Sequence, residues 1–226
     1  MQNKKLLFGV VYKALLAYIV AAVLIFIIST DVPYNIKTYY YASDFGITEQ
    51  KSNNDKDGDG VDDRTDLLLS ARHYIETKKP IYKSKYYVGG YPDDKYGVCT
   101  DVVAFASLNT GYDMMQLIDN DIARYPDDYK VETPDKNIDF RRVSNLWVYY
   151  EKYAQSLTVD ITDIKEWQGG DIVIFYEHIG IVSDRRNARG IPYVIHHSGS
   201  PQLWYEEDIL EKRQRDNDIL AHYRLK

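Results

Sequence analysis

The sequence is poor in the residue types that define several large classes of protein. It has one cysteine in 226 residues, so no intramolecular disulfide can form. Basic residues are outnumbered by acidic ones, 28 to 34, and the formal net charge is −6. Because no basic stripe is present to neutralise phosphates, we expect no nucleic-acid partner.

The rest of the composition is typical of a folded, globular protein. Hydrophobic residues make up 45% of the sequence and charged residues 27%. A chain of this length can bury a complete core, so we expect one main domain preceded by a leader. We expect this domain to be a monomer.

A long apolar segment lies near the N-terminus. Residues 14–28 are apolar except for Tyr18, and the apolar character extends back to residue 6. A bilayer core needs about 20 apolar residues in a helix, so residues 1–30 are predicted to be a single-pass anchor, with the domain outside the cytoplasm. A cleaved signal peptide, which would release a secreted protein, is the alternative. Residues 31–54 lack a clear period and are predicted to be a spacer.

Carboxylates follow at the spacing of a calcium-binding loop. Numbered as such a loop, residues 55–66 place Gly60 at the sharp turn and the Val61 carbonyl at position seven. The segment resembles the loops of dockerin-type and EF-hand repeats and predicts a structural calcium ion. The alternative is a solvated acidic turn that caps the next helix. The candidate ligands are Asp55, Asp57, Asp59, Val61, Asp63 and Asp66.

The single cysteine, Cys99, lies at a predicted helix start. The apolar residues that follow it recur with helical spacing, which places Cys99 in or just before the first turn. Unpaired backbone N–H groups and the helix dipole favour a thiolate at such a position. The alternative is a buried cysteine that serves as a small hydrophobic residue.

Three strands are predicted in the C-terminal half, at residues 171–176, 178–182 and 193–199. If the third lies beside the second, His196 falls next to His178. We therefore predict that Cys99 is a nucleophile, His178 its base and His196 the residue that orients His178. The Cys99 N–H is the expected oxyanion donor. Attack on a carbonyl would give a thioester, which water resolves.

Three further helices are predicted at residues 67–78, 114–125 and 143–157. Arg141 and Arg142 precede the last of them. A pair of guanidinium groups can bind a substrate carboxylate, but paired basic residues at a helix start are more often solvated or joined in salt bridges.

Several motifs in order resemble known families. The Tyr-x-x-Gly-Gly before the cysteine, Gly-Asp-Ile-Val at 170–173, His-Ile-Gly-Ile at 178–181 and Val-Ile-His at 194–196 resemble the NlpC-type and CHAP branches of the papain-like superfamily. The runs Gly-Val-Cys-Thr-Asp-Val-Val, Pro-Asp-x-Asn-Ile-Asp-x-Arg-Arg-Val, His-Ile-Gly-Ile-Val-Ser-Asp and His-Tyr-Arg resemble an exported bacterial family, domain of unknown function 1287. This second resemblance extends from about residue 70 to the C-terminus.

The resemblance implies an α+β, papain-like fold, with the cysteine helix packed on an antiparallel sheet and Cys99, His178 and His196 as the triad. It implies a cell-envelope peptidase or amidase that cleaves amide bonds of peptidoglycan. Tyr86, or Tyr87 with an offset of one residue, would contribute to the oxyanion site. The chain departs from the families in having valine before the cysteine and Asp101 in the first turn, where a carboxylate favours an imidazolium but opposes a thiolate.

Two other functions follow from the same residues. The superfamily also contains acyltransferases and deamidating enzymes, which use the same kind of nucleophile. A calcium-stabilised module that binds the wall or a protein without chemistry is the non-enzymatic alternative.

Overall fold

The computed structural model describes residues 12–21, 39–199 and 202–226. The chain divides into two units, residues 1–38 and 39–226. In the first unit, residues 12–21 are helical. Within the described residues, no helix has both the length and the apolar character needed to cross a membrane. The anchor predicted for residues 1–30 lies mostly outside the described residues, so it stays a prediction.

The second unit contains the predicted helices with shifted boundaries. Three of its helices begin at an aspartate whose side chain accepts a backbone N–H of the first turn, namely Asp62, Asp113 and Asp135. Short 3₁₀ turns occur at Ala42–Phe45 and Pro126–Asp128. The helices are α1 (Asp63–Lys78), α2 (Cys99–Asn109), α3 (Met114–Arg124), α4 (Lys136–Asp139), α5 (Val143–Tyr153) and α6 (Leu210–Arg215).

The strands form two sheets. The small sheet is a parallel pair, β1 (Ile81–Tyr82) and β2 (Tyr96–Gly97). The large sheet is antiparallel, with strand order β3-β8-β4-β5-β6-β7, which confirms the α+β class. Its strands are β3 (Gln155–Ser156), β4 (Ile172–Phe175), β5 (His178–Arg186), β6 (Pro192–Ile195), β7 (Glu206–Glu207) and β8 (Ile219–Arg224).

Side-chain alternation gives the large sheet two buried faces. Ile174 and Ile179 lie in the core that includes Cys99 and the helices α1, α2 and α3. Phe175 and Val182 lie in a second core, with Trp167 and Leu210. Strands buried on both faces read as continuous apolar runs, as residues 172–175 do. The sheet therefore separates the cysteine helix from α6.

The predicted spacer is part of this domain over the residues that the structure describes. The Tyr40 N–H donates to the Arg186 carbonyl at 2.9 Å, and the Arg186 N–H donates to the Tyr40 carbonyl at 2.7 Å. Ala42 and Ile47 are buried. Tyr40 thus pairs with the end of β5, and residues 39–54 belong to the same compact unit as the rest of the domain.

A buried charge cluster ties β4 to β8. Asp171 accepts hydrogen bonds from Arg224 Nε at 2.8 Å, from Arg224 Nη2 at 2.7 Å and from His222 Nε2 at 3.0 Å. Burial alone would raise the pKa of Asp171, but the hydrogen bonds from Arg224 and His222 hold it below its usual value. His222 also stacks on Trp167, so it is a structural histidine.

Candidate active site

Cys99 is the first residue of α2 and is 5% exposed. The residue before it, Val98, is extended, with φ −135° and ψ 179°, and its N–H donates to Asp101 Oδ2 at 2.7 Å. Asp101 therefore closes the start of the helix from the third helical position, as the acidic residue of a capping box does. This capping fixes where the helix begins and hence where the sulfur lies.

Three backbone N–H groups lie near the Cys99 sulfur, those of Cys99 itself, Thr100 and Ile179. Each of them lowers the pKa of the thiol, because a hydrogen-bond donor stabilises the thiolate. Burial outweighs them and raises the pKa to about 11, with a smaller contribution from the charge of Asp101. The resting cysteine is therefore a neutral thiol in a pocket of N–H donors.

Asp101 and Arg141 form a buried ion pair that holds this helix start. Arg141 Nε donates to Asp101 Oδ1 at 2.6 Å and Arg141 Nη2 to Asp101 Oδ2 at 2.9 Å. Arg141 Nη1 donates to the Lys85 carbonyl at 2.6 Å, and the guanidinium lies 5.1 Å from the Tyr87 ring centroid. All three terminal donor groups of Arg141 have partners, so its contacts join α2 to the loop before it.

The two predicted catalytic histidines are in direct contact. His178 Nε2 and His196 Nδ1 are 2.9 Å apart, and the ring planes meet at 81°. Both are almost fully buried. A Cβ at Gly180 would lie 3.2 Å from the His196 Cβ and 2.5 Å from a Val194 methyl, so a glycine is needed there for β6 to approach β5.

His178 is a neutral base in this environment. Burial, and after it the charges of His196, Arg213 and His197, lower its pKa to about 3. Its ring stacks on Phe175, with centroids 5.7 Å apart. Because Nε2 contacts His196, Nδ1 is the nitrogen that the predicted proton transfer would use.

The Cys99 sulfur and the histidine pair both lie near the first residues of β5, and the described residues form no hydrogen bond between the sulfur and either imidazole. Ile179, whose N–H reaches the Cys99 sulfur, directly follows His178 in the chain. The ladder between β5 and β6 starts only at Ile181, so the first residues of β5 project beyond it. Cys99 belongs to the core on the helix side, whereas the His178 ring lies on the Phe175 side of the sheet.

Tyr82 is a neighbour of the thiol that sequence reasoning missed. Burial raises the pKa of its phenol, and the charges of Cys99 and Asp101 raise it further. Its ring meets that of His197 edge-on, with centroids 4.9 Å apart. Tyr82 is one of 22 tyrosines and lies in a two-residue strand, so no periodic pattern distinguishes it.

Glu207 is a second residue that the sequence did not indicate. Its Oε2 lies 2.9 Å from His196 Nε2, on the opposite side of the His196 ring from His178. Glu207 is placed there because β7 pairs with β6, with Val194 opposite Glu207. A two-residue edge strand gives no signal in the sequence.

The remaining candidate residues, Tyr86, Tyr87 and Arg142, each contact an aspartate. The Tyr86 phenol donates to Asp135 at 3.0 Å, and the buried Tyr87 phenol donates to Asp94 at 2.8 Å. Arg142 makes a 3.4 Å ion pair with Asp139, and its side chain is 45% exposed. These contacts order the loops beside the thiol.

Part of the predicted calcium loop converges. Asp55, Asp57 and Asp59 each offer a carboxylate oxygen, and the three oxygens lie within 4.8 Å of one another. Burial raises the pKa of Asp66, and the charges of Asp59, Asp57 and Asp55 raise it further, so Asp66 faces the same space. An all-oxygen donor set of this kind fits a hard cation such as calcium.

Asp63 departs from the predicted ligand set. It is 1% exposed, accepts the Lys56 N–H at 2.6 Å and accepts a hydrogen bond from the Tyr112 phenol. Its carboxylate therefore serves the fold at the start of α1. In calcium loops this position commonly coordinates through a water molecule, so its inward orientation is compatible with the remaining donors.

Comparison with known proteins identifies the family. Residues 69–225 match the family described as Domain of unknown function (DUF1287). The chain is 34% identical over 154 residues to a protein of Escherichia coli (strain K12) named "Uncharacterized protein YijF", a match that covers 64% of this chain and 72% of that protein. No solved structure matches. The match covers more than half of the chain, and the chain therefore belongs to the DUF1287 family.

Proposed function

We propose that this protein is a cysteine hydrolase of the cell envelope that cleaves amide bonds in peptidoglycan peptides, on a papain-like fold. The observation that carries the proposal is the cluster of three N–H donors around the Cys99 sulfur, next to the start of the strand that carries His178. The contact between His178 and His196 supports the assignment of base and orienting residue.

In the proposed reaction, the Cys99 thiol gives its proton to His178 Nδ1 as the sulfur attacks the carbonyl carbon. The resulting oxyanion accepts hydrogen bonds, first from the Cys99 N–H at the helix start. The C–N bond then breaks, and His178 gives the proton to the leaving amine. Water, deprotonated by His178, attacks the thioester, which releases a carboxylic acid and restores the thiol.

The buried state of the site favours the neutral pair of thiol and imidazole. A neutral imidazole is the form that can accept a proton, and burial maintains it. The same burial opposes a separated thiolate, so proton transfer is coupled to attack on the bound substrate. Substrate also replaces the solvent that would compete for the N–H donors.

The substrate class rests on the resemblance of the motifs to NlpC-type and CHAP domains. Acyl transfer and deamidation share the thioester and differ in what resolves it. The predicted leader would hold the enzyme at the outer face of the cytoplasmic membrane, where peptidoglycan is within reach. Protease added to intact spheroplasts tests this placement: digestion of the domain supports it, and full protection contradicts it.

The test of function is incubation with purified peptidoglycan fragments, followed by mass spectrometry. Hydrolysis gives two products whose masses add up to the substrate plus one water, and the masses identify the bond. Iodoacetamide labelling near neutral pH reports the thiol separately, because Cys99 is the only cysteine. A thiol that resists labelling, together with intact fragments, would favour the non-catalytic binding module.

The buried, neutral His178 predicts a loss of stability in acid. Its native pKa, about 3, is below the unfolded value of 6.5, so the unfolded chain binds a proton first as the pH falls. This stability is present above pH 6.5 and is lost as the pH falls toward 3. At pH 4.5 the loss from this group is about 2.7 kcal/mol, at 1.36 kcal/mol for each pH unit.

Urea unfolding at pH 7 and pH 4.5 measures this effect. We expect the wild type to lose about 2–3 kcal/mol more than His178→Gln between the two pH values, because glutamine does not titrate. His73→Gln, at an exposed histidine of α1, is the matched control and should behave as the wild type. Equal losses in the wild type and His178→Gln would contradict a buried neutral His178.

We also propose that calcium binds the loop of residues 55–66 and stabilises the N-terminal part of the domain. The ligands would be Asp55, Asp57, Asp59, the Val61 carbonyl and Asp66. With a Kd of the order of 10⁻⁴ to 10⁻³ M, about 10 mM calcium stabilises the fold by roughly 1.4–2.7 kcal/mol. Tm should then rise by about 3–10 °C over its value in chelator.

Calorimetry in calcium and in chelator checks this prediction. Asp57→Asn should remove most of the rise, whereas Asp93→Asn, at an exposed aspartate outside the loop, should keep it. Equal Tm values in the two media would leave the loop as an acidic turn that caps α1.

A further inference from the structure

The histidine pair continues to a carboxylate. His196 Nε2 lies 2.9 Å from Glu207 Oε2, and no hydrogen bond to this nitrogen is formed among the described residues. The carboxylate oxygen therefore lies off the direction of a ring N–H, at a short distance from the nitrogen. The Glu207 side chain is 29% exposed on a two-residue edge strand, so burial does not lock its orientation and it can rotate to accept this N–H.

Gln202 holds the two residues in this relation. Its Nε2 donates to the His196 carbonyl at 3.3 Å and lies 3.5 Å from Glu207 Oε2. Its Oε1 accepts the Ser198 N–H at 2.9 Å. One amide side chain thus contacts the backbone of His196 and the carboxylate next to its ring.

We infer that Glu207 is a positioning residue that sets the tautomers of His196 and His178, an inference that rests on the proposed function. A carboxylate can only accept a hydrogen bond, so the proton of His196 lies on Nε2. His196 Nδ1 then carries a lone pair and accepts the N–H of His178 Nε2. The proton of His178 is therefore on Nε2, and its Nδ1 is free to act as a base.

Without the carboxylate, a proton on His196 Nε2 would be buried without an acceptor, so the opposite arrangement is favoured. His196 would carry its proton on Nδ1 and donate it to His178 Nε2. His178 would then be protonated on Nδ1 and could not accept the thiol proton. Glu207 acts on the thiol only through His196 and His178. Loss of its carboxylate would in this way disable His178 as a base without any displacement of the two rings.

The other charged neighbours do not determine which ring nitrogen of His178 carries the proton. Arg213 and His197 lower the pKa of His178, which keeps it neutral but does not select a nitrogen. Arg213 is itself paired with Asp218, and His197 Nδ1 lies 2.7 Å from Gln202. Glu207 is the carboxylate in contact with the pair among the described residues.

Nitrogen-15 NMR of histidine-labelled protein tests the inference without any turnover. The chain has five histidines, so the signals can be assigned by single substitutions. In the wild type we expect the proton on Nε2 of both His178 and His196. In Glu207→Leu we expect both rings to be protonated mainly on Nδ1, whereas Glu207→Gln, which retains a carbonyl acceptor, should keep the wild-type pattern.

Kinetics with the peptidoglycan fragments gives the second readout. Glu207→Leu should lower kcat by about 10- to 100-fold with little change in KM, since a positioned base contributes about 10²- to 10⁴-fold. Glu207→Gln should stay within about threefold of the wild type. Glu132→Leu, at an exposed glutamate of a loop, is the matched control and should be unchanged.

A wild-type His196 protonated on Nδ1, or a Glu207→Leu variant with unaltered tautomers, would overturn the inference. The predicted tautomers in a protein that cleaves no fragment would support the role of Glu207 while removing the proposed hydrolase. The two failures are thus distinguishable, and the wild-type spectrum decides the first even if a variant does not fold.

Discussion

Replacing Cys99 with serine is expected to lower kcat/KM for amide hydrolysis by about 10⁴-fold or more. The change replaces the sulfur with an oxygen and leaves the size of the side chain almost unaltered at a buried position. A hydroxyl is a far weaker acid than a thiol, so far less of the serine oxygen would be deprotonated when it attacks the carbonyl carbon. Losses of this size are typical when the nucleophile of a catalytic triad is removed.

Initial rates on peptidoglycan fragments, with the thioester trapped by acid quench, measure the effect. Ser107→Ala is the matched control, because Ser107 is a buried small residue of the same helix, and it should retain the wild-type rate. Since Cys99 is the only thiol, a serine variant with full activity would exclude thiol catalysis for the whole chain. The nucleophile would then have to be sought elsewhere.

The helices and the central hairpin could be predicted because their signals are local. The apolar run at 172–175, the short turn and the start of β5 are contiguous in sequence. β8 was not predicted, although it lies between β3 and β4, because it pairs with a strand more than 40 residues away. Strand order depends on long-range pairing, which periodicity does not report.

The contacts of the candidate site also divide into those that a local sequence pattern predicts and those that it does not. Contact between His178 and His196 could be expected from alternation along two neighbouring strands. The Ile179 N–H at the sulfur, Tyr82 and Glu207 could not, because each depends on where a strand ends relative to another element. A backbone donor also carries no side-chain signal at all.

The role of Arg141 shows the limit of residue type as a guide. An arginine near a thiol can bind a substrate carboxylate or a buried aspartate with the same fork of N–H groups. The sequence left both possibilities open. The contacts of Arg141 with Asp101 and the Lys85 carbonyl show that its guanidinium binds a buried aspartate in the folded domain.

Arg141→Met is therefore expected to destabilise the domain by about 3–5 kcal/mol, because it leaves the Asp101 carboxylate buried without a counter-ion. For a domain of this size the expected loss in Tm is about 6–20 °C. Asp101→Asn combined with Arg141→Met removes both charges and keeps an acceptor for the Val98 N–H, so the double variant should recover part of the loss. Urea unfolding of the single and double variants measures the coupling.

Arg142→Met provides the matched control, since Arg142 is the next residue and makes a half-exposed ion pair worth about 1 kcal/mol or less. If the two single variants lost equal stability, the ion pair of Arg141 would not hold the start of α2. If Arg141→Met kept its stability but raised KM at constant kcat, Arg141 would bind substrate. A loss of stability with slower iodoacetamide labelling of Cys99 would instead mean that the ion pair of Arg141 and Asp101 holds the N–H donors around the sulfur.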